Sequence, residues 1–420
     1  MTGVERRRLL VVAPFAPRIA ATDGGSRVTG ELVTRLAERH DLAVLHLREP
    51  GAEGADDAVR DACAHVEEFR VPSHSGVIRK AHSLVGLGLG RPRWVSHLTA
   101  MGFGRRFRRL VAEWQPDVIQ LEFHVMGQYV RFLPRQRPPI VLVEHDPGAA
   151  TALEQHELHP GHGWRRLVSR ADVTAWERYE RRVLSRVDAL VVFTEDDRHS
   201  VMRSAPTGLP IETIPFGISP LPVAGGRERA DTVLFVGSFI HPPNVDAAMR
   251  LVQGIHPRLR ELRPGARLVI VGENPPDALR EAAGEGVEVT GRVPEVAPYV
   301  AESAVVLIPV RLGGGMRVKT QEALAAGKAI VSSTRALAGL AVRDGEHVVV
   351  AESDEEFAAR AADLLGDADR RAALGHAARA WAETHLGWDT TVGRYEELYA
   401  RLLRAAQAPV VAAQASGDAG

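Results

Sequence analysis

Cysteine is all but missing: Cys63 stands alone in 420 residues. One thiol excludes an internal disulfide and offers no thiolate cluster for a structural zinc, so the reading favours a reducing cytosol. Net charge is missing too, at a formal −1 with pI near 7.0, which removes any general reason to expect nucleic acid as a partner. No apolar run approaches the roughly 18 to 20 residues needed to cross a bilayer. The start, MTGVERRRLLVVAPFAP, has the basic and apolar parts of a leader peptide, but Pro14 and Pro17 cut it short and LLVVAP reads as a buried strand. Convincing metal chemistry is also missing, since the only Asp-x-Asp, Asp367-Ala368-Asp369, sits on a helix border where acids are common.

What is there is a globular composition, 45% hydrophobic and 25% charged, on a chain too long for one ordinary core. Short β-branched runs recur at 8–14, 41–47, 66–71, 117–122, 139–146, 189–194 and 211–216. After the Pro- and Gly-rich piece 217–230 they restart at 232–237, 267–272, 287–291, 305–310, 329–333 and 347–351. Nearly continuous apolar runs alternating with helical patterns suit parallel strands covered on both faces. The expectation is α/β, with two Rossmann-like doubly wound domains and an interdomain cleft: 1–217, a linker at 218–230, and 231–389. A C-terminal helix at 390–405 is expected to pack back on the first domain, followed by a disordered tail at 406–420.

The most informative stretch is PVRLGGGMRVKTQEALAAGKAIVSS, 309–333. A strand runs into Gly313-Gly314-Gly315, and a helical pattern from Met316 to Ala326 stops at Gly327. Arg317 and Lys319 fall in its first turn, where unpaired N–H groups and the macrodipole already favour negative charge. A glycine-opened helix start carrying two cations reads as a site for a diphosphate, with Glu322 one turn on to accept from sugar hydroxyls. The plain alternative is an exposed Lys319–Glu322 ion pair. A second glycine-opened helix begins at Asp23-Gly24-Gly25-Ser26, able to hold a phosphate or admit a sugar to the backbone, or else simply capped by Asp or Ser. Ser238 follows the strand at 232–237, and Asn244 is expected as the N-cap of the next helix. His145, next to Asp146 at a strand end, could act as a polar or general-base group tuned by that carboxylate; Glu122 and His124 carry the same ambiguity. From Arg91 to Arg109 there are six arginines and no acids, interleaved with Trp94, Phe103 and Phe107. That pattern suits peripheral contact with an anionic membrane, and equally a helix packed by its apolar face with arginines in solvent.

These residues resemble a known family. FVGSFIHPPNVDAA, LVIVGENP, GGGMRVKTQEALAAGKAIVSS and GEHVVVAES are similar to the nucleotide-binding domain of retaining glycosyltransferases with the two-Rossmann (GT-B) fold, and more narrowly to glycosyltransferase family 4, or group 1. Gly24-Gly25, PDVIQLE and VEHD match its first half more loosely. The resemblance implies a metal-independent hexosyltransferase that uses a nucleotide diphosphate sugar as donor substrate, no other cofactor, and a carbohydrate, lipid-linked or small-molecule acceptor, in the cytoplasm or at the inner face of the membrane. It implies that Glu322, the second acid of the family's Glu-x7-Glu motif, binds ribose. The first acid would fall at Gly314 and is absent. The family's Arg and Lys after the first strand are replaced by Ser238 and His241, so Arg317 and Lys319 are expected to take the diphosphate. His145 matches the family's cleft histidine by context, and Arg292 and Val293 match its base-binding edge. A nucleotide-sugar epimerase and a noncatalytic nucleotide-sugar-binding protein remain the alternatives.

Overall fold

The computed structural model describes residues 5–19, 21, 24–71, 83–158, 162–219, 228–239, 241–312 and 318–415. The chain divides into two compact units, residues 1–216 with 391–420, and residues 217–390.

The first unit is built on seven parallel strands in the order β3-β2-β1-β4-β5-β6-β7. These are β1 (Arg8–Ala13), β2 (Asp41–Arg48), β3 (His65–Arg70), β4 (Val118–Glu122), β5 (Ile140–Glu144), β6 (Ala189–Val192) and β7 (Ile211–Thr213). Leu9 to Val12 and Leu42 to Leu45 are buried without interruption, because both faces of the sheet are covered. One face packs Leu10, Val12, Ile119 and Leu142 against Phe103 and Phe107 of α2 (Phe103–Trp114) and Trp176 and Tyr179 of α3 (Trp164–Leu184). α1 (Gly24–Ala37) precedes them in the chain. Phe107 has no exposure, and its truncation to Ala would cost about 3 to 5 kcal/mol.

The second unit repeats the plan with six parallel strands, β10-β9-β8-β11-β12-β13. They are β8 (Arg229–Val236), β9 (Arg267–Val271), β10 (Val287–Gly291), β11 (Ser303–Ile308), β12 (Ala329–Ser332) and β13 (Val349–Val350). α4 (Pro242–Arg250) follows β8, α5 (Val318–Ala325) follows β11 and α6 (Asp354–Gly366) follows β13. α5 ends in a Schellman motif: Lys328 N donates to Ala323 O, Gly327 N donates to Leu324 O, and Gly327 takes φ +67°. In both units the strand order reverses beside the first strand, between β1 and β4 and between β8 and β11. That reversal opens a crevice at the carboxyl ends of the strands.

All thirteen apolar runs form strands among the described residues, with shifted ends. β8 starts at Arg229, inside the expected linker, because Arg229 pairs with Ser303 of β11. The runs at 211–216 and 347–351 keep only three and two strand residues. The C-terminal helix, α7 (Trp388–Ala415), passes through much of the tail read as disordered, whose alanines favour helix. It packs within the first unit: Thr391 donates to Pro215 O at 3.0 Å, Arg394 to Thr213 O at 3.0 Å, and Arg401 meets Glu212 at 2.6 Å. Among the described residues, no helix is long and apolar enough to cross a membrane.

Candidate active-site residues at the strand ends

In the first unit the switch point gathers α1, which opens at Gly24, and the ends of β4 and β5. A Cβ on Gly25 would lie 2.7 Å from Phe123 and 3.0 Å from Phe15, so only glycine fits against those rings. Phe123 itself adopts φ +63°, an unfavourable backbone for a bulky residue. Its ring stacks on His145, centroids 3.8 Å apart and planes at 11°. Gly25, Phe123 and His145 thus form one layered contact. Asp23 lies outside the described residues.

Two histidines and two glutamates cross over at these strand ends. His145, just past β5, donates Nε2–H to Glu122 Oε2 of β4 at 2.6 Å. His124, just past β4, is hydrogen-bonded through Nδ1 to Glu144 Oε1 of β5 at 2.5 Å. Successive residues of a strand point to opposite faces, so the pairs sit on opposite sides of the sheet. The carboxylate beside His145 is therefore Glu122 and not Asp146, which instead accepts from Thr151 Oγ1 at 2.7 Å. His145 is 4% exposed, and its Nδ1 is buried without a partner.

The second pair is held by desolvation. Burial lowers His124 to about 4, which leaves the imidazole neutral near pH 7, and it pushes the Glu144 carboxyl well above its ordinary range. Burial also raises Glu180, which accepts from Ala149 N at 2.7 Å. Trp94 and Trp176 meet the His124 ring edge-on at 5.3 and 4.5 Å. This environment reads as a structural core under the strand ends.

In the second unit the switch point joins three of the expected residues. Asn244 Nδ2 donates to Ser238 O at 2.7 Å, and Lys319 Nζ donates to Asn244 Oδ1. Lys319 also lies over the Phe235 ring at 5.6 Å. Asn244 is not the N-cap: His241 takes that place, Pro242 and Pro243 fill the first positions, and Asn244 in the first turn turns its amide back to the β8 loop. Ser238 Oγ donates to Glu273 Oε1 at 3.1 Å, which ties in the end of β9. Glu322 is half-buried one turn beyond Lys319 on α5. Gly313, Gly314, Gly315 and Arg317 lie outside the described residues. Arg292 and Val293 follow β10, two strands from β8 and so about 10 Å along the same edge. Arg311 is engaged by Asp246 through two hydrogen bonds of 2.7 and 3.2 Å.

Sequence reasoning missed Gln120, Glu144, Glu273 and Tyr399. The available signal lay in VIQLE, where Gln120 and Glu122 fall two apart in an otherwise apolar strand and share one face. The acids at 367–369 are accounted for by Asp367, which caps the following helix through Arg370 N at 2.9 Å. Among the described residues, no group of three or more His, Cys, Asp or Glu is arranged to hold a metal ion. Part of the basic stretch is neutralised, since Arg106 bonds Glu67 and also meets Glu113 at 2.9 Å, while Arg105, Arg108 and Arg109 are exposed.

Comparison with known proteins bears on both units. Residues 230–367 match the model of the family described as glycosyl transferases group 1, and residues 23–217 match that of the glycosyl transferase 4-like domain. A GDP-mannose-dependent alpha-(1-6)-phosphatidylinositol monomannoside mannosyltransferase of Mycobacterium tuberculosis is 26% identical over 418 residues, 92% of this chain and 96% of that protein. Among solved structures, a sucrose-phosphate synthase from Thermosynechococcus elongatus superposes with a TM-score of 0.67 at 16% identity, covering 95% of this chain and 100% of that one. HepE of Anabaena, in complex with UDP and glucose, gives 0.65 at 14% identity, covering 94% and 100%. At these identities the structural likenesses show the fold.

Proposed function

The chain belongs to the group 1 glycosyltransferases, and from that premise we propose that it moves a mannosyl group from GDP-mannose to a hydroxyl of a lipid-linked acceptor with retention of configuration. The observation that carries the donor side is Lys319, held by the Asn244 amide and the Phe235 face in the first turn of a helix at the switch point. A diphosphate seated there meets an ammonium group and the positive end of the helix dipole together. Cleaving the sugar–phosphate bond leaves charge on the departing diphosphate and an oxocarbenium-like sugar, and fixed positive groups lower that barrier without a metal ion. The leaving phosphate then helps to take the proton of the acceptor hydroxyl. Glu322, on the same helix, suits the ribose hydroxyls, and His145 the reacting sugar.

GDP-mannose and a mannosylated phosphatidylinositol come to this reading from the mycobacterial relative. A lipid acceptor is supported further by exposed Leu84, Val85, Leu89, Trp94 and Met101, beside a sequence without acids from Phe69 to Ala112. Apolar side chains among arginines suit contact with an anionic membrane surface. Incubating the full chain with GDP-mannose and vesicles containing phosphatidylinositol monomannoside should release GDP and add one hexose to the lipid. Lipid left unchanged, with mannose transferred instead to a soluble sugar acceptor, would overturn the lipid reading. Isomerised donor without transfer would overturn transfer itself.

A further inference from the structure

Three hydrogen bonds join the C-terminal helix to the ring of His145. The Tyr399 hydroxyl donates to Gln120 Oε1, Gln120 Nε2 donates to Glu122 Oε1, and His145 Nε2 donates to Glu122 Oε2 at 2.6 Å. None of the four residues is more than 4% exposed. The direction of donation is set from the far end. Burial pushes the Tyr399 phenol well above its usual range, so it keeps its proton and donates. An amide that accepts at Oε1 turns Nε2 toward Glu122, and Glu122 answers with its other oxygen by taking the imidazole N–H. His145 Nδ1 is left as the ring acceptor, buried and unpartnered. Buried polar atoms are usually paired, and His145 Nδ1 shares its open state with Nε2 of His124; what sets His145 apart is the relay that fixes its other nitrogen.

We propose that Glu122, Gln120 and Tyr399 are positioning residues for the transfer reaction, holding His145 in its Nε2–H tautomer with Nδ1 as the nitrogen that serves the reacting sugar. This rests on the reading of His145 as a group of the reaction site. Phe123 stacks on the imidazole face and helps to fix the plane in which the Nδ1 lone pair lies. The relay gives the C-terminal helix a role beyond packing: a residue 279 positions from Gln120 in sequence sets which nitrogen of His145 carries the proton.

The test is a long-range proton–nitrogen NMR spectrum of the full chain with nitrogen-labelled histidine, in which His145 is assigned by its loss in His145→Gln. The wild-type ring should show Nε2 protonated and Nδ1 bare, and Tyr399→Phe and Glu122→Gln should each move it toward the other tautomer. With GDP-mannose as donor, Tyr399→Phe should lower kcat about 10-fold at nearly constant KM, and this loss should vanish in a His145→Ala background. A wild-type Nδ1–H tautomer overturns the proposal. So does a Tyr399→Phe protein of unchanged melting temperature whose His145 signals stay put, or a Tyr399→Phe loss of equal size without His145. Normal turnover in His145→Ala would overturn the proposal together with the reading it rests on, whereas an unmoved tautomer beside a crippled His145→Ala enzyme would overturn the proposal alone.

Discussion

In the first unit the polar groups at the strand ends are carboxylate–imidazole pairs with almost no exposure, whereas the matching edge of the second unit holds a half-buried lysine against an amide and an aromatic face. The strand orders of the two units correspond, and so do their switch points. The difference therefore comes from a few residues at and after the ends of β4, β5, β8 and β11. Buried acid–imidazole pairs fix proton positions in a medium where a stray charge is costly. A lysine at a helix start suits a diphosphate that arrives and leaves with its charge. On the reading proposed above, one scaffold supports proton placement in one copy and anion binding in the other.

The sharpest way to break this division is at His145. His145→Ala should reduce kcat about 100-fold or more while the KM for donor changes little, because an interaction made in the transition state is lost. A rise in KM with kcat intact would place His145 in donor binding and erase the contrast. Next in size is Gly25→Ala, whose Cβ would meet Phe123 at 2.7 Å and Phe15 at 3.0 Å. Urea denaturation should show a loss of about 1 to 3 kcal/mol. Stability equal to wild type would mean that the layer over His145 is loosely packed.

The pH dependence of stability sharpens the comparison further. Above its ordinary 4.5, Glu144 ionises when unfolded but keeps its proton when folded, so it draws stability down as pH rises. His124 acts oppositely: it takes a proton below its ordinary 6.5 when unfolded and only near 4 when folded, so its contribution falls as pH drops through that window. Between about 4.5 and 6.5 the two oppose each other in the wild type. Glu144→Gln removes the glutamate's falling contribution, so the stability of the mutant relative to wild type should grow as pH rises above about 4.5, by up to about 1.4 kcal/mol per unit. Parallel curves for mutant and wild type would show that Glu144 is not held neutral. The smallest effect is expected at Gly393 on α7, where an added Cβ meets nothing within 4 Å. Gly393→Ala should stabilise by about 0.5 to 1 kcal/mol; destabilisation would mean that the face of the helix at Gly393 is more closely packed than it is here.

The thirteen strands were legible because parallel strands buried on both faces leave continuous β-branched runs, and α5 was legible because Gly327 stops it. The Ser238–Asn244–Lys319 contact was half legible: its members were singled out, but Asn244 was read as a cap when the two prolines before it already start the helix. The crossed pairs were hidden because His145 and Glu122 are 23 residues apart and meet only once β4 lies beside β5. Tyr399 was hidden more deeply, since nothing within its own helix shows which sheet face that helix covers. Local pattern marks elements well, while contacts between distant elements follow from strand order and register.

The division of labour between the units is tested most directly by titrating GDP and guanosine calorimetrically into the wild type, Lys319→Ala and His145→Ala. Lys319→Ala should weaken GDP by about 10-fold or more and leave guanosine nearly unchanged, since hydrogen bonds to charged groups contribute about 1.5 to 3 kcal/mol. His145→Ala should bind GDP within about twofold of wild type. Equal weakening of GDP by both substitutions, or equal loss of GDP and guanosine in Lys319→Ala, would contradict the account.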